Sequence, residues 1–218
     1  MITPQRIACS IGSLLLASGC ALIEAPPPVR LRIVRVKALG DLKLREDPRW
    51  TQTVEGLVEA ASDYFEREFG VRFVVDKIAP WPSVAGITST RLLLTRLKEE
   101  VPLKGRAGNY DLIIGFTGEN VNIYVDGRAR VDRIGNCHLG LGNYMVTSVS
   151  SPFLYPGPDS EIEWDVLALI HELGHIFGAE HTNDSSSIMH RDFAYRTEFD
   201  QHNRDVILLH RLCPFAMG

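Results

Sequence analysis

Apolar and basic positions nearly alternate through Arg30–Leu39 (RLRIVRVKAL), and the alternation slips at Val34, which predicts a strand carrying a bulge. Asp47 and Pro48 then read as the cap and first position of a helix. Its buried stripe is Trp50, Val54, Leu57, Val58, Ala61, Phe65 and Phe69, and Gly70 ends it. A second strand is expected at Val71–Val75. Ser89–Glu100 is a second helix, with Leu92, Leu93, Leu97 and Val101 facing inward and Pro102 stopping it. The continuous apolar run Tyr110–Phe116 (YDLIIGF) reads as a strand buried on both faces. Strand, helix, strand, helix, strand implies an α/β domain with a largely parallel sheet.

From Glu119 to Ser151 the texture turns glycine-rich, with short strands expected at Val121–Val125 and His138–Val149. The second is read as an exposed sheet edge able to take an extended peptide; glycine-interrupted bulges are the alternative. Ser160 and Glu163 form a capping box. Val166, Leu169, Ile170, Leu173 and Phe177 then keep helical spacing up to Gly178. A closing helix is expected within Phe199–Leu212, with Val206, Leu209 and Leu212 on one face.

The first residues read differently. Ile7–Gly19 is a short apolar run after Arg6, which fits a secretory signal over residues 1–19. Ala17, Ser18 and Gly19 before Cys20 resemble the lipobox of bacterial lipoproteins, with ordinary signal cleavage and a non-cleaved membrane anchor as the alternatives. Residues 20–29, with three consecutive prolines, would be a spacer and 30–218 the folded domain. The expected location is therefore a bacterial cell envelope, lipid-anchored and periplasm-facing, or outside the cell. Export would leave Cys137 and Cys213 as a pair in a compartment where disulfides persist; two free buried thiols are the alternative. The net charge of −4 without a basic stripe excludes nucleic acid as an expected partner, and the membrane is met only through the N-terminal lipid. A monomer is expected.

The chemistry lies on the long helix. His171 and His175 stand four residues apart on one face, the spacing two imidazoles need to grip one Zn²⁺. Glu172 sits beside them and is free to act as general base on a water at the metal. Gly178 can take a positive φ, end the helix and bring His181 back as a third nitrogen ligand. Three protein ligands leave a position for water, which marks catalytic rather than structural zinc. At this chain's own residue frequencies, H-E-x-x-H-x-x-G-x-x-H arises by chance in roughly four of a hundred thousand such chains.

This stretch, His171 to His181, resembles the extended zinc signature of the metzincin metalloproteases. Ser187-Ile188-Met189-His190 matches their methionine turn, with Met189 as a packing floor. The resemblance implies a zincin catalytic domain: a twisted, mostly parallel sheet with one antiparallel edge strand, an active-site helix and a C-terminal helix. It also implies a zinc endopeptidase that binds protein or peptide substrates extended along an edge strand. The sequence departs from the named subfamilies at Thr182 and Arg191, and Tyr195 is either a residue that approaches the metal or an ordinary packed tyrosine. Two other readings stay open: a zinc-binding envelope protein without turnover, and a metal hydrolase of peptidoglycan amide bonds.

Overall fold

The computed structural model describes residues 30–82, 85–103, 110–123, 127–150, 161–192 and 195–216, with the backbone alone for 161–163. The signal, lipobox and spacer expected over residues 1–29, and the capping residue Ser160, lie outside these. Five strands form one sheet: β1 (Arg32–Gly40), β2 (Val71–Pro80), β3 (Leu112–Thr117), β4 (Ala129–Val131) and β5 (Tyr144–Ser148), in the order β2-β1-β3-β5-β4. All neighbours are parallel except β4, which runs antiparallel to β5 at the edge. Four helices, α1 (Trp50–Phe69), α2 (Thr90–Glu100), α3 (Glu161–Ile176) and α4 (Gln201–His210), complete the described fold.

The sheet is covered on both faces, and β3 shows why its sequence reads as one apolar run. Leu112, Ile114 and Phe116 join the core shared with α1 and α3, while Ile113 turns to the smaller core of Trp81, Leu93 and Leu97 beneath α2. Gly70 ends α1 at φ 65°, ψ 36°, a left-handed cap that accepts no Cβ without strain.

Several expectations shift. The bulge falls between Val36 and Lys37, and the extra residue is Asp76 on β2, where its carboxylate pairs with Arg35. Helix α1 starts at Trp50; Asp47 instead holds the preceding turn through the Arg49 N–H at 2.8 Å. On α2 the inward residues are Leu93, Leu94 and Leu97, whereas Leu92 faces out. On α4, Asn203 and Ile207 are buried and Leu209 is exposed, as is Leu212 beyond its end, because Asn203 turns inward to bond the backbone of Glu180. The exposed edge is also corrected. β5, inside the expected His138–Val149 edge, is an interior strand between β3 and β4, and the edge is Ala129–Val131. Three residues with two glycine-free polar neighbours give too short a period-two signal to be read from sequence.

Cys137 and Cys213 form a disulfide with Cα atoms 5.0 Å apart. It ties the chain after α4 to the loop before β5. Beside it, the Arg32 guanidinium donates to the carbonyls of Arg211 and Cys213 at 2.5 and 2.6 Å. No described helix is long and apolar enough to cross a membrane.

Candidate metal centre

Helix α3 is buried on nearly every side over its last three turns, which explains its apolar sequence around two polar histidines. His171 and His175 project from one face with ring centroids 4.9 Å apart. Each Nδ1 is taken by a backbone carbonyl: His171 donates to Ile188 O at 2.7 Å and His175 to Ala179 O at 2.6 Å. Those bonds fix both tautomers, so each Nε2 presents a lone pair. Burial pushes the pKa of His171 down to about 3 and that of His175 to about 4, which keeps both imidazoles neutral and able to ligate.

Gly178 brings in the third ring. Its φ is +98°, and a Cβ there would stand 2.4 Å from His210 Nδ1 and 2.6 Å from Gly135 O. Around it the Ala179 N–H reaches Gly174 O at 2.9 Å and the Gly178 N–H reaches His175 O at 3.0 Å, the paired bonds of a Schellman stop. The chain then reverses, Asn203 clamps the backbone of Glu180 through both amide atoms at 2.9 and 3.0 Å, and His181 returns to the helix. Its Nε2 lies 3.2 Å from Nε2 of His171 and 3.3 Å from Nε2 of His175. Nitrogens sharing a tetrahedral Zn²⁺ at bonds of ~2.0–2.1 Å are separated by about 3.3 Å. Neutral imidazoles with their lone pairs turned to one point repel each other unless a cation sits between them, so the donor set fits a metal.

The floor of the site is the turn at Ser187–His190. Met189 is fully buried, and its carbonyl accepts from the Thr182 N–H at 3.0 Å. Its sulfur and the Phe199 ring press on Gly174, where a Cβ would meet them at 3.1 and 2.8 Å. Gly174 therefore sits in mid-helix, despite a cost of ~1 kcal/mol, because the turn packs against the helix there.

Glu172 is half-buried on the cleft side. Burial raises its carboxyl to about 7, opposed by the charge of Arg130 and by the nearby backbone of Val131. The cleft holds about 710 Å³ and is lined by β4 together with His171, Glu172, His175 and His181. The Ser148 N–H bonds Arg128 O and the Asp132 N–H bonds Tyr144 O, so in this antiparallel pair Arg130 faces β5 and the backbones of Ala129 and Val131 face outward.

Residues 32–203 match Metallo-peptidase family M12, well over half of the chain. The chain belongs to that family. It is 37% identical over 87 residues to an archaemetzincin of Methanopyrus kandleri, a match covering 40% of this chain and 46% of that protein. The chain thus spans about half the length of the curated relative it matches. The crystal structure of archaemetzincin from Methanopyrus kandleri shares the fold, with a TM-score of 0.56 and 22% identity over 85% of this chain and 98% of that one. Membership of family M12 bears out the metzincin resemblance, and the three clustered histidines are a donor set of the kind the zinc expected from sequence requires.

The three histidines expected as ligands meet at one point, and Glu172 stands beside them. Tyr195 packs edge-on against Trp164 at 6.0 Å between centroids and is not among the described residues lining the cleft. Asn203, the Ile188 and Ala179 carbonyls and β4 went unseen in the sequence. A buried asparagine on a helix otherwise exposed at Leu208 and Leu209 is a signal for the first; the carbonyls carry no side-chain signature.

Proposed function

We propose that this M12 metallopeptidase is an endopeptidase in which His171, His175 and His181 hold the zinc and Glu172 is the general base. The convergence of three Nε2 atoms within 3.2 and 3.3 Å, with two of the rings oriented by backbone carbonyls, carries this reading. When bound, zinc supplies Lewis acidity that polarises a carbonyl and makes water acidic enough to attack at neutral pH. Glu172 takes the proton of that water on its carboxylate and delivers it to the leaving amine.

The outward backbone of Ala129 and Val131 suits an extended peptide laid antiparallel to β4, held chiefly by main-chain hydrogen bonds.

Glu172→Gln tests the assignment. The variant is expected to bind zinc in a one-to-one ratio, by metal analysis, while cleavage of a proteome-derived peptide mixture falls by about 10²–10⁴. Undiminished cleavage would remove Glu172 from the role, and a wild type that holds zinc but cuts no peptide would point to a binding protein or to another amide substrate.

A further inference from the structure

The cleft beside the histidines is basic although the chain as a whole carries −4. Arg128, Arg130 and Arg191 line it, against Glu172 and Asp192. Arg128 is already satisfied: its Nη1 donates to Asp165 Oδ1 and Ser150 Oγ, each at 2.8 Å. Among the described residues neither Arg130 nor Arg191 has an ion pair or a side-chain hydrogen bond.

These two stand on opposite structural elements. Arg130 belongs to β4, the strand that lines the cleft. It is half-buried at the cleft rim, and its charge acts on Glu172. Arg191 follows the methionine turn, is exposed, and its charge acts on His181. Neither acidic group facing them, Glu172 or Asp192, makes an ion pair among the described residues. Solvated surface arginines are common, but two that flank one concave site add their fields where low-dielectric walls concentrate them. Their planar, forked donors match a carboxylate.

We propose that Arg130 and Arg191 give the enzyme a preference for peptides carrying a carboxylate next to the scissile bond. This rests on the endopeptidase proposal and goes beyond it by naming the substrate class. The carboxylate can come from an acidic side chain or from a free chain terminus, and both present the same two oxygens to a guanidinium.

Zinc-loaded protein is assayed on quenched fluorescent peptides that differ only in Glu or Gln beside the cleaved bond, each with a free or amidated C-terminus. Wild type is expected to favour the acidic peptide in kcat/KM by about tenfold or more at low salt, and less at high salt. In Arg130→Gln and Arg191→Gln that ratio shrinks, falling below about threefold in the double variant, whereas Arg→Lys at either position retains part of it. A gain that follows the free terminus instead of the Glu side chain assigns the carboxylate to the chain end. An acidic-to-neutral ratio near one in wild type, or a preference intact in the double variant, overturns the proposal. If no peptide is cut, the endopeptidase proposal fails on its own, and the same ratio measured as peptide affinity by fluorescence anisotropy still decides the selectivity; absent or equal binding overturns it.

Discussion

At the residue scale the metal centre rests on neutral imidazoles held neutral by burial. His171 and His175 have pKa values of about 3 and 4 in the metal-free fold, below the ~6.5 of an unfolded chain. The unfolded state therefore takes up more protons as pH falls. Stability contributed by these groups is complete above the unfolded value and is lost as pH drops through 6.5 toward 4. Glu172, raised to about 7, acts in the opposite sense over the same interval, so metal-free protein is expected to lose a net ~2 kcal/mol between pH 7 and pH 4.5, and more in Glu172→Gln, measured by urea unfolding. A flat profile over that interval would mean that the rings are not desolvated as described. All four side chains at the centre were legible in the sequence, because H-E-x-x-H-x-x-G-x-x-H packs ligand spacing, base and turn into eleven consecutive residues. Their partners were not: Ile188 O and Ala179 O belong to peptide groups that every residue carries.

At the element scale the decisive feature is the stop of α3. Gly178 supplies a left-handed residue, a Schellman closure and a close approach to Gly135 O and His210 in one position. An alanine there must both strain its backbone and displace neighbours. Gly178→Ala is expected to destabilise the fold by about 2–4 kcal/mol in chemical denaturation. It should also weaken zinc at least about tenfold in competition with a chelating dye, because Ala179 O and His181 both move. Unchanged zinc affinity would show that the third ligand reaches the site by another route. Helices α1 and α2 were readable from period and caps, since each is long enough for its stripe to repeat. The inward faces of α2 and α4 were misread at Leu92 and Leu209, because an apolar residue at helical spacing does not say which side has a partner. The three-residue edge strand β4 was missed for want of length.

At the scale of the molecule, the sheet places β4 above the active-site helix, and the Cys137–Cys213 bond fastens the end of the chain to the loop before β5. The two cysteines are 76 positions apart, and closing a loop of that length is worth about 4 kcal/mol in the chain-entropy model. Reduction, or Cys213→Ala, is therefore expected to lower unfolding stability by ~2–5 kcal/mol. Disulfides persist chiefly in oxidising compartments, so the state of this bond in cells tests the export expected from residues 1–19. In bacterial cells producing the full chain, Cys137 and Cys213 should resist alkylation until a reductant is added, and free thiols there would argue for a reducing compartment. What the sequence alone determined was local: the alternation of strands and helices, the ligand spacing, the glycine that must turn and the methionine that follows. Those depend on contacts within a few turns of chain, where composition and period leave a mark. Which strand forms the edge, which cysteines bond, which carbonyls orient the imidazoles and which arginines border the cleft were decided only by tertiary structure. Each joins positions dozens of residues apart through backbone groups or charges whose partners are chosen by packing.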